Sequence, residues 1–315
     1  MSPTREAGLA VNPAEVLRAA RLLAIRSRRQ AAGLLPGAYT SAFRGGGIEF
    51  EESRPYAPGD DLRILDWNAT ARTGEPFVKR FREEREQTLL LLIDVSASMG
   101  FAARGPSKAL VAAHTAAILA AAASRARDAV GLLAFDAEVR AEIPPARGPA
   151  HTWRVIRALV EWAGQSTGGT GLAAALARAR TRSQGGRRSA VFVLSDLRDE
   201  AFVGSGAALS ELSALARRHD VTVAVLHNPL EDELPAVGTL RLADLEHAGR
   251  VLVLRTGRPR VRAEYRAAAA RRRRTTELRL RGAGADVLWL RTDREPLRAL
   301  VRFFASHTAT LKVQR

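Results

Sequence analysis

Two carboxylates and three hydroxyls offer the only chemistry that stands out from an otherwise apolar pattern. An apolar run, "TLLLLI" at 88–93, ends in Asp94, and Ser96 and Ser98 follow at alternate positions. A second run, "AVFVL" at 190–194, ends in Ser195 and Asp196, and "GQSTGGTGLAAAL" places Thr170 in a Gly-rich turn before a helical pattern. A packed core has no use for such groups, and burying them unpaired costs several kcal/mol. With no His or Cys in the set, this is hard-oxygen chemistry. It suits Mg²⁺ or Mn²⁺, which take about six oxygens near ~2.1 Å and usually keep some waters. The D-x-S-x-S spacing has a mechanical sense, because a loop leaving a strand turns residues i, i+2 and i+4 towards one point. The expected ligand set is Asp94, Ser96, Ser98, Thr170 and Asp196, with an open position for a carboxylate from outside the chain.

The elements that must position these groups are legible from hydrophobic periodicity. Strands are expected at 88–94, 129–135, 190–195, 221–226, 250–255 and 285–291, with short ones near 47–51 and 76–81. Helices are expected at 13–31, 107–126, 151–163, 171–183, 206–219, 259–274 and 294–305. "EVRAEIPP" at 138–145 reads as a short antiparallel edge strand stopped by two prolines. Continuous apolar strands alternating with helices predict an α/β fold, a mostly parallel Rossmann-like sheet with helices on both faces. Ligands of such sheets bind beyond the carboxyl ends of the strands at the topological switch point. That is where all three polar segments fall.

Composition narrows the classes further. The chain has 315 residues, 46% of them hydrophobic, and no cysteine, which excludes disulfides, thiolate metal sites and a Cys nucleophile. No run approaches about 18 consecutive apolar residues, and the first 23 residues lack the pattern of a signal peptide. The expectation is a soluble cytoplasmic protein. Net charge is +16, and residues 250–315 carry +13 of it, with 18 Lys+Arg against 5 Asp+Glu. Nearly all the cations are Arg; Lys stands only at 79, 108 and 312. A basic C-terminal fifth is either a solvated helix face or a surface for an anionic partner.

The segments "DVSAS" (94–98), "GGT" (168–170) and "LSD" (194–196) resemble the metal-ion-dependent adhesion site of von Willebrand factor type A domains. By that resemblance Ser96, Ser98 and Thr170 approach a metal through their hydroxyls, and Asp94 and Asp196 act directly or through water. A second block, "EF" (49–50), "RPYAPGDDLRILDWNATAR" (54–72) and "VKRFREERE" (78–86), resembles the signature of a bacterial family known as domain of unknown function 58. With the downstream segments the resemblance spans roughly residues 33–305. It implies a von Willebrand type A-like domain over 87–315, preceded by an N-terminal helix and an irregular signature segment, 1–86, packed on the sheet. It also implies a MoxR-type AAA+ ATPase, or a client that the ATPase remodels, as partner in chaperone-like maturation. Many relatives carry an upstream membrane hairpin, which is not expected here.

Within the signature block, Pro58–Gly59 marks a turn, Asp60 is expected to cap a helical turn, and Arg54, Arg63 or Arg72 to pair with Asp61 or Asp66. Trp67 reads as a core anchor. "GFAARGPSK" at 100–108 resembles a phosphate-binding loop only faintly, since Pro106 stands where the lysine belongs. The six His residues have no metal-ligand spacing, and "ARRRRTT" at 270–276 lacks aromatics for base stacking. The favoured expectation is a noncatalytic, metal-dependent protein–protein interaction module. Two alternatives are a metal-dependent phosphoester hydrolase using the same oxygens, and a nucleic-acid-binding protein using the Arg-rich region 250–282.

Overall fold

The computed structural model describes residues 13–33, 48–83, 87–103, 105–163, 165, 168–182, 188–198, 202, 204, 206–243 and 251–313. The α/β architecture is as expected. Its strands are β1 (Ile48–Pro55), β2 (Phe77–Glu83), β3 (Thr88–Asp94), β4 (Ala129–Phe135), β5 (Val139–Ala146), β6 (Ala190–Ser195), β7 (Asp220–His227), β8 (Leu240–Ala243), β9 (Val251–Leu254) and β10 (Asp286–Arg291). The helices are α1 (Pro13–Gly33), α2 (Trp67–Thr73), α3 (Lys108–Ala126), α4 (Pro149–Ala163), α5 (Leu172–Arg182), α6 (Ala207–Ala216), the single turn α7 (Pro229–Asp232), α8 (Pro259–Gly282) and α9 (Pro296–Val313).

Six strands form the central sheet in the order β10-β7-β6-β3-β4-β5, parallel except for the antiparallel edge pair β4–β5. Alternation along β3 divides the core in two. Leu89, Leu91 and Ile93 pack beneath α1, α3, α4 and α9, while Leu90 and Leu92 face α5, α6 and the end of α8. Each such side chain, fully buried, contributes about 1.5–3 kcal/mol, so β3 anchors the sheet through both faces. The chain leaves β3 towards β4 and later returns to β3's other side as β6. The switch point is therefore between β3 and β6, where Asp94 and Asp196 emerge.

Ala-rich α3 lies against the sheet with α1 and α4 packed over it, and its small side chains permit that close approach. Among the described residues it is the one helix long and apolar enough to cross a membrane by length and composition, but most of it is buried inside the protein. Ser107 caps it, accepting a hydrogen bond from the Leu110 N–H at 3.2 Å.

Three expectations need correction. The apolar run near 250–255 does not join the central sheet. As β9 it pairs antiparallel with β8 in a separate hairpin, and Val251, Leu252 and Val253 stay largely exposed. A parallel return to the sheet needs a crossover of a dozen or more residues, usually helical, whereas the stretch after β7 begins with only one helical turn and then supplies an antiparallel partner. In the signature block Asp61, not Asp60, caps the 3-10 turn Leu62–Ile64; Asp60 pairs with Arg54 through two hydrogen bonds of 2.7 and 2.8 Å. Trp67 is no core anchor: it opens α2 with 72% of its surface exposed, and Leu62 is 63% exposed. Asp66 fixes this geometry, accepting from the N–H groups of Asn68 and Ala69 and from the Ser53 hydroxyl at 2.5 Å.

Glycine is required by close approach at one place that matters for the site. A Cβ on Gly171 would lie 2.3 Å from the Ala137 carbonyl oxygen, while the Gly171 N–H donates to the Asp136 carbonyl at 2.6 Å. This contact clamps the turn carrying Thr170 against the loop after β4. Gly171→Ala is expected to cost about 2–4 kcal/mol in urea denaturation. A loss within about 0.5 kcal/mol would mean that the turn moves freely away.

Candidate metal centre

The sharp end of β3 is stitched to its neighbours before any ligand is considered. The Val95 N–H donates to the Phe135 carbonyl at 2.7 Å, and the Ala97 N–H to the Gly168 carbonyl at 3.0 Å. The second bond brings the 168–170 turn against the 96–98 loop, which closes as a 3-10 turn over Ala97–Gly100. Asp94 is fully buried. Its Oδ1 accepts from the Ser96 N–H at 2.9 Å and its Oδ2 from the Ser195 hydroxyl at 2.5 Å. The Ser195 hydroxyl in turn accepts from the Leu197 N–H at 3.0 Å. Leu197 adopts φ +57°, a left-handed conformation that a leucine rarely takes, immediately after Asp196. Such strain persists only where the surroundings impose it, and here it turns the chain so that the Arg198 N–H bonds Asp196 Oδ1.

All five expected residues lie around the switch point. The Ser96 and Ser98 hydroxyls are 3.3 Å apart, both buried. The Thr170 hydroxyl is buried and has no hydrogen-bond partner. Burial, and next the negative charge of Asp196, push Asp94 up to about 7. Among the described residues no three His, Cys, Asp or Glu are arranged to hold a metal ion, so a cation here depends on the hydroxyls. The donor set fits a hard divalent ion: two carboxylates that repel each other, two hydroxyls in mutual contact, and an orphaned third.

A third party was not foreseen. Lys108, the first residue of α3, is 1% exposed and its ammonium donates to Asp196 Oδ2 and, at 3.1 Å, to Glu231 Oε1. Arg198 reaches the same Glu231 oxygen at 2.9 Å, and Glu231 Oε2 accepts from the Asn228 N–H at 2.8 Å. Burial pushes Glu231 up, but Lys108 and Arg198 together hold it below the usual carboxylate range. Asp196, Lys108, Glu231 and Arg198 thus form an alternating chain of charge, with Asp94 as a like charge beside Asp196. The sequence carried one clue to Lys108. In a chain with only three lysines among 49 basic residues, a lysine marks a place where a compact ammonium fits and a broad guanidinium does not.

Asp136 was also missed, although "GLLAFD" ends a strand in a carboxylate just as β3 does. It is buried, accepts from the Glu138 N–H and from Arg140 Nε at 2.6 Å, and its Oδ2 would sit 3.5 Å from a Cβ placed on Gly168. Its backbone carbonyl accepts from the Gly171 N–H, so it braces the Thr170 turn.

Comparison with known proteins bears on family. The profile of a family described as "Protein of unknown function DUF58" matches residues 52–275. The uncharacterized protein Rv1480 of Mycobacterium tuberculosis is 33% identical over 289 residues, covering 91% of this chain and 88% of its own length. Among solved structures the chain is similar to the conserved hypothetical protein BatB from Bacteroides thetaiotaomicron, with a TM-score of 0.43 and 19% identity over 71% of this chain and 99% of that one. It is similar as well to a von Willebrand factor type A protein from Catenulispora acidiphila, with a TM-score of 0.41 and 13% identity over 84% of this chain and 51% of that one.

Two outcomes follow from the electrostatics. Asp94 holds its proton more tightly folded than unfolded, so the metal-free protein loses stability as pH rises from about 4 towards 7. Asp94→Asn removes that penalty: in chelator it should raise the melting temperature at pH 8, by an amount that shrinks as pH falls to 5. An equal gain at both pH values would contradict the assignment. Lys108→Met leaves Asp196 and Glu231 without their ammonium and should cost about 3–5 kcal/mol in urea denaturation; a cost below about 1 kcal/mol would mean that the pair is solvated.

Proposed function

The chain belongs to the DUF58 family, whose description assigns no activity, and on the geometry around Asp94 we propose that it is a noncatalytic, metal-dependent protein–protein interaction module. Asp94, Ser96, Ser98, Thr170 and Asp196 would hold Mg²⁺ or Mn²⁺. The ion would supply an open coordination position for an Asp or Glu carboxylate of the partner. The observation that carries the reading is the Thr170 hydroxyl, buried without a partner beside two buried carboxylates and two buried hydroxyls. A divalent ion gives that hydroxyl an electrostatic partner and relieves the repulsion between Asp94 and Asp196.

The chain's own residues divide the remaining work. Ser195 and the Ser96 N–H orient the Asp94 carboxylate, Asp136 and Gly171 hold the Thr170 turn, and Lys108 neutralises one side of Asp196. Lys108 is a resident cation, and it lowers the charge that a divalent ion meets. Affinity for the bare metal should therefore be modest and should rise when a partner carboxylate completes the site. The resemblance in the signature block makes a MoxR-type AAA+ ATPase, or a client it remodels, the partner to try first, in the cytoplasm. Exposed Trp67 and Leu62 in that block give a second, apolar contact to such a partner.

Calorimetric titration of chelator-stripped protein with Mg²⁺ and with Mn²⁺ tests the reading. One saturable site, lost in Asp94→Ala with the fold intact, is the expected result, and pull-down of the ATPase should then require the metal. Identical heats in wild type and Asp94→Ala would refute it. A hydrolase built on the same oxygens would instead turn over phosphoesters when metal is added.

A further inference from the structure

A cavity of about 590 Å³ opens at the carboxyl ends of β7 and β10, beside the amino end of α9 and away from Asp94. Its walls include His227, Arg273, Trp289, Arg294, Arg298 and Arg302. The acidic groups nearby are already engaged. Asp293 is held by Arg291 through two bonds of 2.8 and 2.9 Å, and Glu295 accepts from Arg26 at 2.6 Å and Gln30 at 2.8 Å. Among the described residues Arg273, Arg294, Arg298 and Arg302 have no carboxylate partner, and Arg273 instead lies 4.4 Å over the Trp289 ring. Arg298 and Arg302 are four residues apart and stand on one line along α9, and Arg294 lies in the bend just before that helix. Guanidinium groups without carboxylates, converging on one concavity, are a phosphate-recognition arrangement.

Buried neutral groups in the same wall point independently to a ligand. His227 is 6% exposed, and neither of its ring nitrogens makes a hydrogen bond; Nε2 merely approaches Asp232 Oδ2 at 3.3 Å. The Trp289 Nε1–H is buried and equally without an acceptor. The two rings meet edge to face at 5.6 Å, so each holds the other in place. Orphaned donors in the interior are rare because each costs about 1–3 kcal/mol, and these two line a cavity whose rim is cationic. The amino end of α9 adds its unpaired N–H groups at the same place.

We propose that this cavity binds a diphosphate-bearing small ligand. Arg294, Arg298 and Arg302 would take the phosphate charge at the rim, with His227 and Trp289 Nε1 as neutral hydrogen-bonding groups within. The volume is within the range of about 300–1,000 Å³ typical of small-molecule sites. Free pyrophosphate and the diphosphate of a nucleotide share this chemistry, and the test separates them.

The test titrates the full chain, in chelator and at constant ionic strength, with pyrophosphate and with ADP. Chelator keeps the outcome independent of the Asp94 site. Saturable binding is expected, weakened about tenfold or more in Arg298→Ala/Arg302→Ala. Both positions are exposed on α9, and circular dichroism checks the fold. The control is Arg258→Ala/Arg274→Ala, which removes the same charge from α8 and its amino-terminal flank without touching the cavity, and it should bind as wild type does. Tighter binding of ADP assigns a nucleotide, and tighter or equal binding of pyrophosphate an inorganic oligophosphate. No saturable binding of either, or the same loss in both double variants, overturns the proposal, the latter because it would reflect net charge alone.

Discussion

Everything at the switch point is arranged around the repulsion between two buried carboxylates. Asp94 and Asp196 leave adjacent parallel strands within one residue of the same level, out of water, where like charges cannot both ionise cheaply. Each surrounding feature answers that constraint. Ser195 donates to Asp94, Lys108 donates to Asp196, and Glu231 with Arg198 balances Lys108 in turn. The rare backbone conformation at Leu197 and the clash that forbids a side chain at Gly171 are local costs of holding this geometry. A structure with no use for the carboxylates would be more stable with apolar groups in their place. That cost argues for a task at the site, and cation-mediated docking is the task we assign it.

Strand ends were legible in the sequence where the physics is local. Runs such as "TLLLLID" and "AVFVLSD" announce buried parallel strands and, by ending in polar residues, the edge of the sheet that binds. The five oxygen-bearing residues were readable for the same reason. The role of Lys108 was not, because an ammonium 88 positions away in sequence from Asp196 becomes its neighbour only once α3 is laid on the central sheet. Sequence periodicity places α3 but is blind to what its first residue meets. Trp67 failed differently: aromatic residues are usually buried, yet this one starts a short helix whose Asp66 cap turns it outwards. The run at 250–255 had strand character but no information about its partner, and β8 was the nearer one.

The excess positive charge of the C-terminal fifth also resolves into parts. Several arginines sit in ion pairs along α8, such as Arg260 with Glu264 and Arg281 with Glu277, and these are solvated helix-face pairs of small energetic weight. In the cavity at β7 and β10 the lining Arg291 and Asp293 pair with each other and Glu295 is held by Arg26, which leaves Arg273, Arg294, Arg298 and Arg302 without a carboxylate among the described residues. The carboxyl edge of one sheet thus carries an oxygen-rich centre at β3 and β6 and a guanidinium-rich cavity at β7 and β10. His227 and Trp289 also border a second cavity of about 460 Å³, which reaches Asp196 and Arg198. The two centres are therefore connected through shared walls.

The most direct measurement is anomalous scattering from a crystal of the protein equilibrated with Mn²⁺ after chelator stripping. The account predicts a single strong peak at the ends of β3 and β6, about 2.1–2.3 Å from a hydroxyl oxygen of Ser96, Ser98 or Thr170. It should vanish in Asp94→Ala crystals. A saturating soak that leaves this position without a peak, with the Lys108 ammonium alone serving Asp196, would contradict the account.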